Sequence, residues 1–174
     1  MEIGGFDGYV LAPLRREDDQ ALRGMQPGDL SMSRGEWLFP VGGEEGYITA
    51  ALAERVSGRE LRAGIWLGAQ LVGVICLRRC SVATGSISYA LDARYRGQGI
   101  MTRACRVLLD HGFRVLRLER ILIIADHENQ SSCSIPVRLG FTRERVLPDL
   151  YCGTEGFRDG VQFSLLASAW NAGP

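Results

Sequence analysis

The sequence contains no lysine, because all 20 of its basic residues are arginine. This absence excludes Schiff-base chemistry on a lysine and also the lysine of a phosphate-binding P-loop. Acidic residues also number 20, so the formal net charge is zero. A neutral chain gives no indication of a nucleic-acid or other polyanion partner.

Histidine is also scarce, with only two residues, and the five cysteines are scattered without the spacing of a zinc site. We therefore predict no metal and interpret the thiols as small apolar groups of a cytoplasmic protein. No apolar run reaches the roughly 18 residues of a membrane helix, and residues 1–5 lack the features of a signal peptide. We expect no membrane partner and a single domain over residues 1–174.

Hydrophobic patterning predicts seven strands and four helices. The predicted strands cover residues 9–14, 62–67, 71–77, 86–91, 120–125, 142–147 and 156–166. The predicted helices cover residues 16–25, 44–56, 99–116 and 129–139. Residues 68–70 predict a short hairpin turn, whereas the last two strands are expected to pair across a long connection. The order is that of a mixed α/β protein with a strand-helix-strand unit at residues 86–125.

The segment between the fourth strand and the third helix carries two glycines, Gly97 and Gly99. Glycine lets the backbone turn sharply and approach a ligand closely, and a helix that begins there directs its N–H groups at an anion. Arg94 and Arg96 add positive charge. A plain strand-helix connector explains the glycines equally well. Position 102 is Thr, so the third glycine of a dinucleotide motif is missing and that class of site is disfavoured.

Three stretches of the chain resemble the GNAT (Gcn5-related N-acetyltransferase) superfamily, and in particular its ribosomal-protein-serine/alanine N-acetyltransferase branch. The first is Arg94-x-x-Gly97-x-Gly99, which continues as Ile100-Met101-Thr102-Arg103-Ala104. The second is Glu128-Asn129-x-x-Ser132-x-x-Ile135-Pro136-x-Arg138-Leu139-Gly140-Phe141. The third, Trp37-Leu38-Phe39-Pro40, is the least specific.

The resemblance implies a mixed α/β fold with a twisted, mostly antiparallel sheet of six to seven strands. About four helices would flank this sheet, which would splay between its fourth and fifth strands. The resemblance also implies acetyl-CoA as co-substrate, with its pantetheine arm in the splay and its pyrophosphate on the glycine turn. The implied cofactor-binding residues are Tyr89, Ala90, Leu91, Arg94, Arg96, Gly97, Gln98, Gly99, Ile100, Met101, Thr102, Asn129 and Ser132.

Catalytic residues follow less directly from the resemblance. Ser132 matches the hydroxyl thought to protonate the departing thiolate, although a serine there also suits a helix start. The acid that the branch often carries aligns with Tyr151, so Asp149 and Glu155 are the candidate general bases. Glu36 and the loop 126–128 are further sources of a carboxylate.

The acceptor remains open between two classes of amine. The branch implies a protein N-terminal Ser or Ala amine of a ribosomal protein, whereas a small-molecule amine such as an antibiotic or polyamine is the rival. A CoA-binding module without turnover is a third interpretation, kept because of Tyr151. The resemblance also leaves open another acyl-CoA as donor and a homodimer, which is common in the branch.

Overall fold

The computed structural model describes residues 3–25, 32–33, 49, 53, 58–153 and 156–171, and within these residues nine strands form one sheet. The strands are β1 (Gly4–Phe6), β2 (Tyr9–Pro13), β3 (Met32–Ser33), β4 (Glu60–Leu67), β5 (Gln70–Arg79), β6 (Thr84–Leu91), β7 (Arg120–Asp126), β8 (Thr142–Gly153) and β9 (Gly156–Leu166). Their order across the sheet is β1-β2-β4-β5-β6-β7-β9-β8-β3.

Four α-helices have both ends in the described part of the chain: α1 (Asp19–Arg23), α2 (Ile100–Asp110), α3 (Gln130–Arg138) and α4 (Ala167–Asn171). A 3-10 turn, Arg16–Asp18, precedes α1, so the predicted helix 16–25 is split into two short pieces. Within the predicted helix 44–56 the structure describes only residues 49 and 53, and both are helical. No helix in the described segments is long and apolar enough to cross a membrane.

The sheet is antiparallel except where β6 and β7 run parallel. The parallel register begins at Thr84 opposite Arg120 and ends at Ile87 opposite Ile123, although β6 continues to Leu91 and β7 to Asp126. The two strands therefore diverge at their carboxyl ends. This confirms the splay predicted between the fourth and fifth strands of the sequence-based assignment.

The main core lies on one face of the sheet, under α2 and α3. The apolar stripe of α2 is buried against the sheet, and α3 contributes Ile135 and Leu139. The predicted helix 99–116 is α-helical as far as Asp110 and then continues as a π-helical turn, His111–Val115. In that turn, a Cβ added to Gly112 would lie 2.7 Å from Ile121 Cδ1, so the helix end passes very close to β7.

The opposite face carries a smaller apolar cluster under α1 and a buried ion cluster on β4 and β5. Glu60 is 8% exposed and binds two guanidinium groups, with Arg62 Nε 2.7 Å from its carboxylate and Arg78 on the other oxygen. Burial alone would raise the pKa of Glu60, but the bonds and charges of both arginines outweigh burial and lower it. The cluster is a stability element, since it joins neighbouring strands.

Two expectations about strands were wrong. Because the edge strands β1 and β3 are too short to show a periodic pattern, the count in the described residues is nine rather than six to seven. The closing hairpin has no long connection, because β8 continues to Gly153, which pairs with Gly156. Register shifts after Arg143 and after Leu147 break the alternation of β8. The sequence pattern therefore does not indicate a strand in the second half of β8.

Candidate functional site

A cleft of about 450 Å³ opens where β6 and β7 diverge. Its walls come from the end of β6, the turn before α2, the first turn of α2 and one side of α3. The lining residues are Tyr89, Ala90, Leu91, Arg96, Gly97, Gly99, Ile100, Met101, Thr102, Arg103, Asn129, Ser131, Ser132, Ser134, Ile135 and Arg138. The structure therefore brings all the predicted cofactor-binding residues to one cleft, except Arg94 and Gln98.

The turn before α2 has the geometry that its glycines suggested. Gly97 and Gly99 have φ angles of 75° and 73°, in the left-handed region that side chains with a Cβ avoid. Gly99 is the N-cap of α2, and its carbonyl accepts the first helical hydrogen bond from the N–H of Arg103. The N–H groups of the preceding positions in the first turn lack helical partners, and the helix dipole adds positive potential there. The turn therefore has a geometry that favours an anion.

Arg94 and Gln98 are placed differently from the other predicted cofactor residues. Both side-chain nitrogen contacts of Arg94 to Asp92 are short, with Nε 2.9 Å and Nη2 2.7 Å from the carboxylate oxygens. The Gln98 carbonyl accepts a 2.9 Å hydrogen bond from Arg103, which also pairs with Asp7. These contacts fasten the turn on both sides.

The N-terminus of α3 forms the facing wall of the cleft. Asn129 is its N-cap, as predicted, and its Oδ1 accepts the N–H of Ser132 at 3.0 Å and the hydroxyl of Ser131 at 2.8 Å. Pro136 lies inside the helix. Ser132 is half-buried and lines the cleft.

Tyr89 links the two walls of the cleft. Its hydroxyl, 3.1 Å from the Ser132 carbonyl, donates a hydrogen bond from β6 to α3. Burial raises the pKa of Tyr89 well above its ordinary value, so the hydroxyl keeps its hydrogen and remains a donor. Burial also raises the pKa of the Cys133 thiol, whose Sγ lies 3.3 Å from the Asp126 carbonyl. A protonated thiol is a poor nucleophile.

Neither candidate base is among the described residues that line the cleft. Asp149 is exposed on the irregular part of β8 with a φ of 52°, and its N–H donates to Asp159 Oδ1 at 3.1 Å. Glu155 and Glu36 lie outside the described residues. Tyr151 is buried, and its hydroxyl donates to the Ile124 carbonyl at 3.1 Å. Asp149 is absent from the lining of the cleft as far as the described residues define it.

A buried ion pair closes the carboxyl end of β7. Asp126, 3% exposed, accepts Arg158 Nη2 at 2.8 Å and the N–H of Glu128 at 2.9 Å. The Glu128 side chain binds the same guanidinium at 3.4 Å. His127 is exposed, and its backbone N–H donates to the Asp159 carbonyl. The loop's carboxylates therefore already have a cation to neutralise them.

Sequence reasoning did not assign a site role to five of the lining residues: Arg103, Ser131, Ser134, Ile135 and Arg138. Their spacing carried a signal. Arg103 follows Gly99 by one helical turn, and Ser131, Ser134 and Arg138 recur at three- and four-residue intervals along α3. Residues one turn apart share a helix face, so the two helices each present a polar edge to the cleft.

A family model described as an acetyltransferase (GNAT) domain matches residues 9–142. This segment contains β6, the glycine turn, α2, β7 and α3, which together define an acetyltransferase domain. The chain belongs to the GNAT acetyltransferase family. The family that the resemblance implied is thus confirmed.

Individual relatives agree with this family. YdaF of Bacillus subtilis (strain 168), a provisionally named ribosomal N-acetyltransferase, is 32% identical over 112 residues, which are 63% of this chain and 61% of that protein. The spermidine N(1)-acetyltransferase of Escherichia coli (strain K12) is 31% identical over 75 residues, 43% of this chain and 40% of that protein. The chain thus spans less than two thirds of the length of both of these curated relatives.

A solved structure of RimL, a ribosomal L7/L12 α-N-protein acetyltransferase in complex with coenzyme A, superposes with a TM-score of 0.82. The alignment covers 97% of this chain and 99% of that chain at 18% sequence identity. At this identity the likeness shows the fold alone.

Proposed function

We propose that this protein transfers an acetyl group from acetyl-CoA to a protein N-terminal Ser or Ala amine, as in ribosomal-protein acetyltransferases. The observation that carries the proposal is the junction of the β6–β7 splay with the glycine turn before α2. A thin arm fits between diverging strands, and a pyrophosphate suits a helix N-terminus with positive-φ glycines. Arg96 and Arg103 supply cationic side chains at the same cleft.

The cleft residues divide the binding work by chemistry. The amides of Gly97, Gly99 and the first turn of α2 would hold the pyrophosphate, with the Thr102 hydroxyl beside them. The end of β6, Tyr89 to Leu91, would offer its backbone to the pantetheine amides. Asn129 would add its side-chain NH₂, since its oxygen is used by the helix cap.

Bound acetyl-CoA supplies a thioester carbonyl that a neutral amine attacks, and the CoA thiolate leaves. We assign the stabilisation of the oxyanion to a backbone N–H at the end of β6, which lines the cleft. The Ser132 hydroxyl, half-buried at the cleft, is our proton donor to the thiolate. Asp149 or Glu155 is our proposed base for the ammonium proton. We also propose a cytoplasmic location, where acetyl-CoA and ribosomal proteins meet.

The binding part of this proposal is tested by isothermal titration of the full chain with CoA and acetyl-CoA. We expect a single site, and no binding of either molecule would refute the proposal. Thiol release is then measured with peptides that begin with Ser or Ala and with the same peptides acetylated at the N-terminus. Turnover of only the free-amine peptides is the expected result.

The proton donor is tested by Ser132→Ala. A general acid accelerates a reaction by about 10²- to 10⁴-fold, and we expect the lower end of this range for a thiolate leaving group. We expect kcat to fall by roughly a hundredfold with little change in the KM for acetyl-CoA. Ser168→Ala on the exposed side of α4 is the matched control. An unchanged kcat in Ser132→Ala would remove the assignment.

A polyamine acceptor is the second candidate, because the spermidine acetyltransferase is as similar in its matched segment as YdaF. Spermidine turnover with a kcat/KM above that of every Ser or Ala peptide would favour it. CoA binding without thiol release for any amine would instead favour the non-catalytic module.

A further inference from the structure

The first residue of the glycine signature, Arg94, is fixed by a buried carboxylate. Asp92 has no exposed surface, and its own N–H donates to the Val72 carbonyl of β5 at 2.9 Å. Its Oδ1 accepts both the backbone N–H and the Nε of Arg94, each at 2.9 Å. Its Oδ2 accepts Arg94 Nη2 at 2.7 Å. The pair is bidentate, and the backbone of the turn is part of it.

Breaking this pair is costly, because a carboxylate buried at Asp92 loses its water and needs a cation in return. The planar fork of an arginine fits a carboxylate through two parallel bonds, which lysine cannot reproduce. A phosphate that drew the Arg94 guanidinium towards itself would leave Asp92 buried and charged. The arrangement therefore favours Arg94 on Asp92 over Arg94 on a ligand.

The same guanidinium reaches a third element. Arg94 Nη2 lies 3.4 Å from the carbonyl of Gly24, the C-cap of α1, which is 70 residues away in sequence. The contact ties the turn before α2 to the helix on the opposite face of the sheet. The Asp92–Arg94 pair thus joins three pieces of the fold, because Asp92 contacts β5 through its N–H and Arg94 contacts the C-cap of α1.

We propose that Arg94 is a positioning residue that, with Asp92, holds the turn before α2 in its anion-binding shape and does not itself bind phosphate. The ligand named in this inference rests on the proposed function, in which CoA occupies the cleft. Arg96, whose side chain lines the cleft, is the arginine of this turn that meets the ligand. In this proposal Arg94 positions the turn, whereas Arg96 contacts the ligand.

The two roles predict opposite effects of neutralising Asp92. If Arg94 were a phosphate ligand, Asp92→Asn would release it from a competing anion and CoA would bind more tightly. If Arg94 is a positioning residue, Asp92→Asn and Arg94→Gln both weaken CoA binding, on the order of tenfold, because a displaced turn misaims its amides. Titration of each variant with CoA gives the sign directly.

Salt and conservative replacements separate the two arginines further. Loss of a charge that meets the ligand lowers the salt dependence of CoA binding, since ionic strength screens such contacts. We expect this for Arg96→Gln, with partial rescue by Arg96→Lys. For Arg94→Gln we expect the salt dependence of the parent, and no rescue by Arg94→Lys because the fork is lost.

A ligand-free measurement keeps this inference distinct from the proposed function. Amide hydrogen exchange in residues 94–99 is expected to accelerate in Arg94→Gln and to stay at the parent rate in Arg96→Gln. If Arg94→Gln does not fold, Arg94→Lys replaces it in the exchange experiment. Unchanged exchange, or tighter CoA binding by Asp92→Asn, overturns the inference. A parent protein that binds no CoA refutes the proposed function, while the exchange result still decides the role of Arg94.

Discussion

Asn129 is expected to serve the fold with one end of its amide and the ligand with the other. Its Oδ1 accepts the Ser132 N–H and the Ser131 hydroxyl, and this orientation is required because a backbone N–H needs an oxygen as acceptor. The NH₂ group is therefore not used by the helix cap, and it is available to a ligand because Asn129 lines the cleft. Replacements that keep an oxygen but remove the NH₂ separate the two roles.

Asn129→Ala removes both functions. Loss of an N-cap costs about 1 kcal/mol, within a range of about 0.5–2, which lowers Tm by roughly 2–4 °C in a protein of this size. Loss of one neutral hydrogen bond to the ligand costs about 0.5–1.5 kcal/mol, or about a two- to twelvefold weaker Kd for CoA. Differential scanning calorimetry without ligand and titration with CoA measure the two effects separately.

Asn129→Ser is the discriminating variant, because serine is as good an N-cap as asparagine and has no NH₂. We expect the Tm of the parent together with the weakened CoA binding of Asn129→Ala. Asn129→Asp also keeps the cap, but it adds a charge near Asp126 and Glu128 and is the less clean comparison. Parent-like CoA affinity in Asn129→Ser would refute the ligand role, and an alanine-like Tm would refute the cap role.

Three further outcomes follow from the described contacts. Glu60→Gln should destabilise the protein by about 2 kcal/mol or more at pH 7, since it leaves two arginines without their carboxylate. Because the folded pKa of Glu60 is lowered, this difference should be complete above about pH 4.5 and disappear as pH falls through the folded pKa, which urea unfolding at several pH values would measure. Gly99→Ala, at a φ of 73°, should cost about 1–2 kcal/mol by the same assay, and Gly97→Ala, at 75°, a similar amount. Tyr89→Phe should cost about 1 kcal/mol in unfolding because the Ser132 carbonyl loses its donor, and parent-like stability would contradict this contact.

Much of the fold was predictable because its signals are local. The apolar run 121–124, covered on both faces, identified β7, and the alternation of residues 86–91 identified β6. Asn129 and Gly140 marked the ends of α3, and Gly140 indeed has a φ of 80°. The same glycine chemistry located the turn before α2. In each of these segments, the residues that indicate the conformation lie within a dozen positions of one another.

The rest depended on partners that no local pattern reveals. The second half of β8 contains Pro148 and a positive-φ Asp149, which disguise a strand that is fixed by its pairing with β9. Arg94 was interpreted as an anion ligand because its charge is visible in the sequence. Asp92 is the buried partner of that charge, and its burial follows only from the pairing of β5 with β6.

Tyr151 stands where the resemblance implied an acid, and its hydroxyl has a structural role there. Its hydroxyl donates to the carbonyl of Ile124, the first residue of β7 beyond the last pair with β6. A carboxylate at this position would be repelled by the same carbonyl oxygen, because neither group has a hydrogen to donate. The hydroxyl of Tyr151 therefore supports β7 at the point where this strand leaves β6. We therefore keep Asp149 or Glu155 as the proposed base for the ammonium proton of the acceptor.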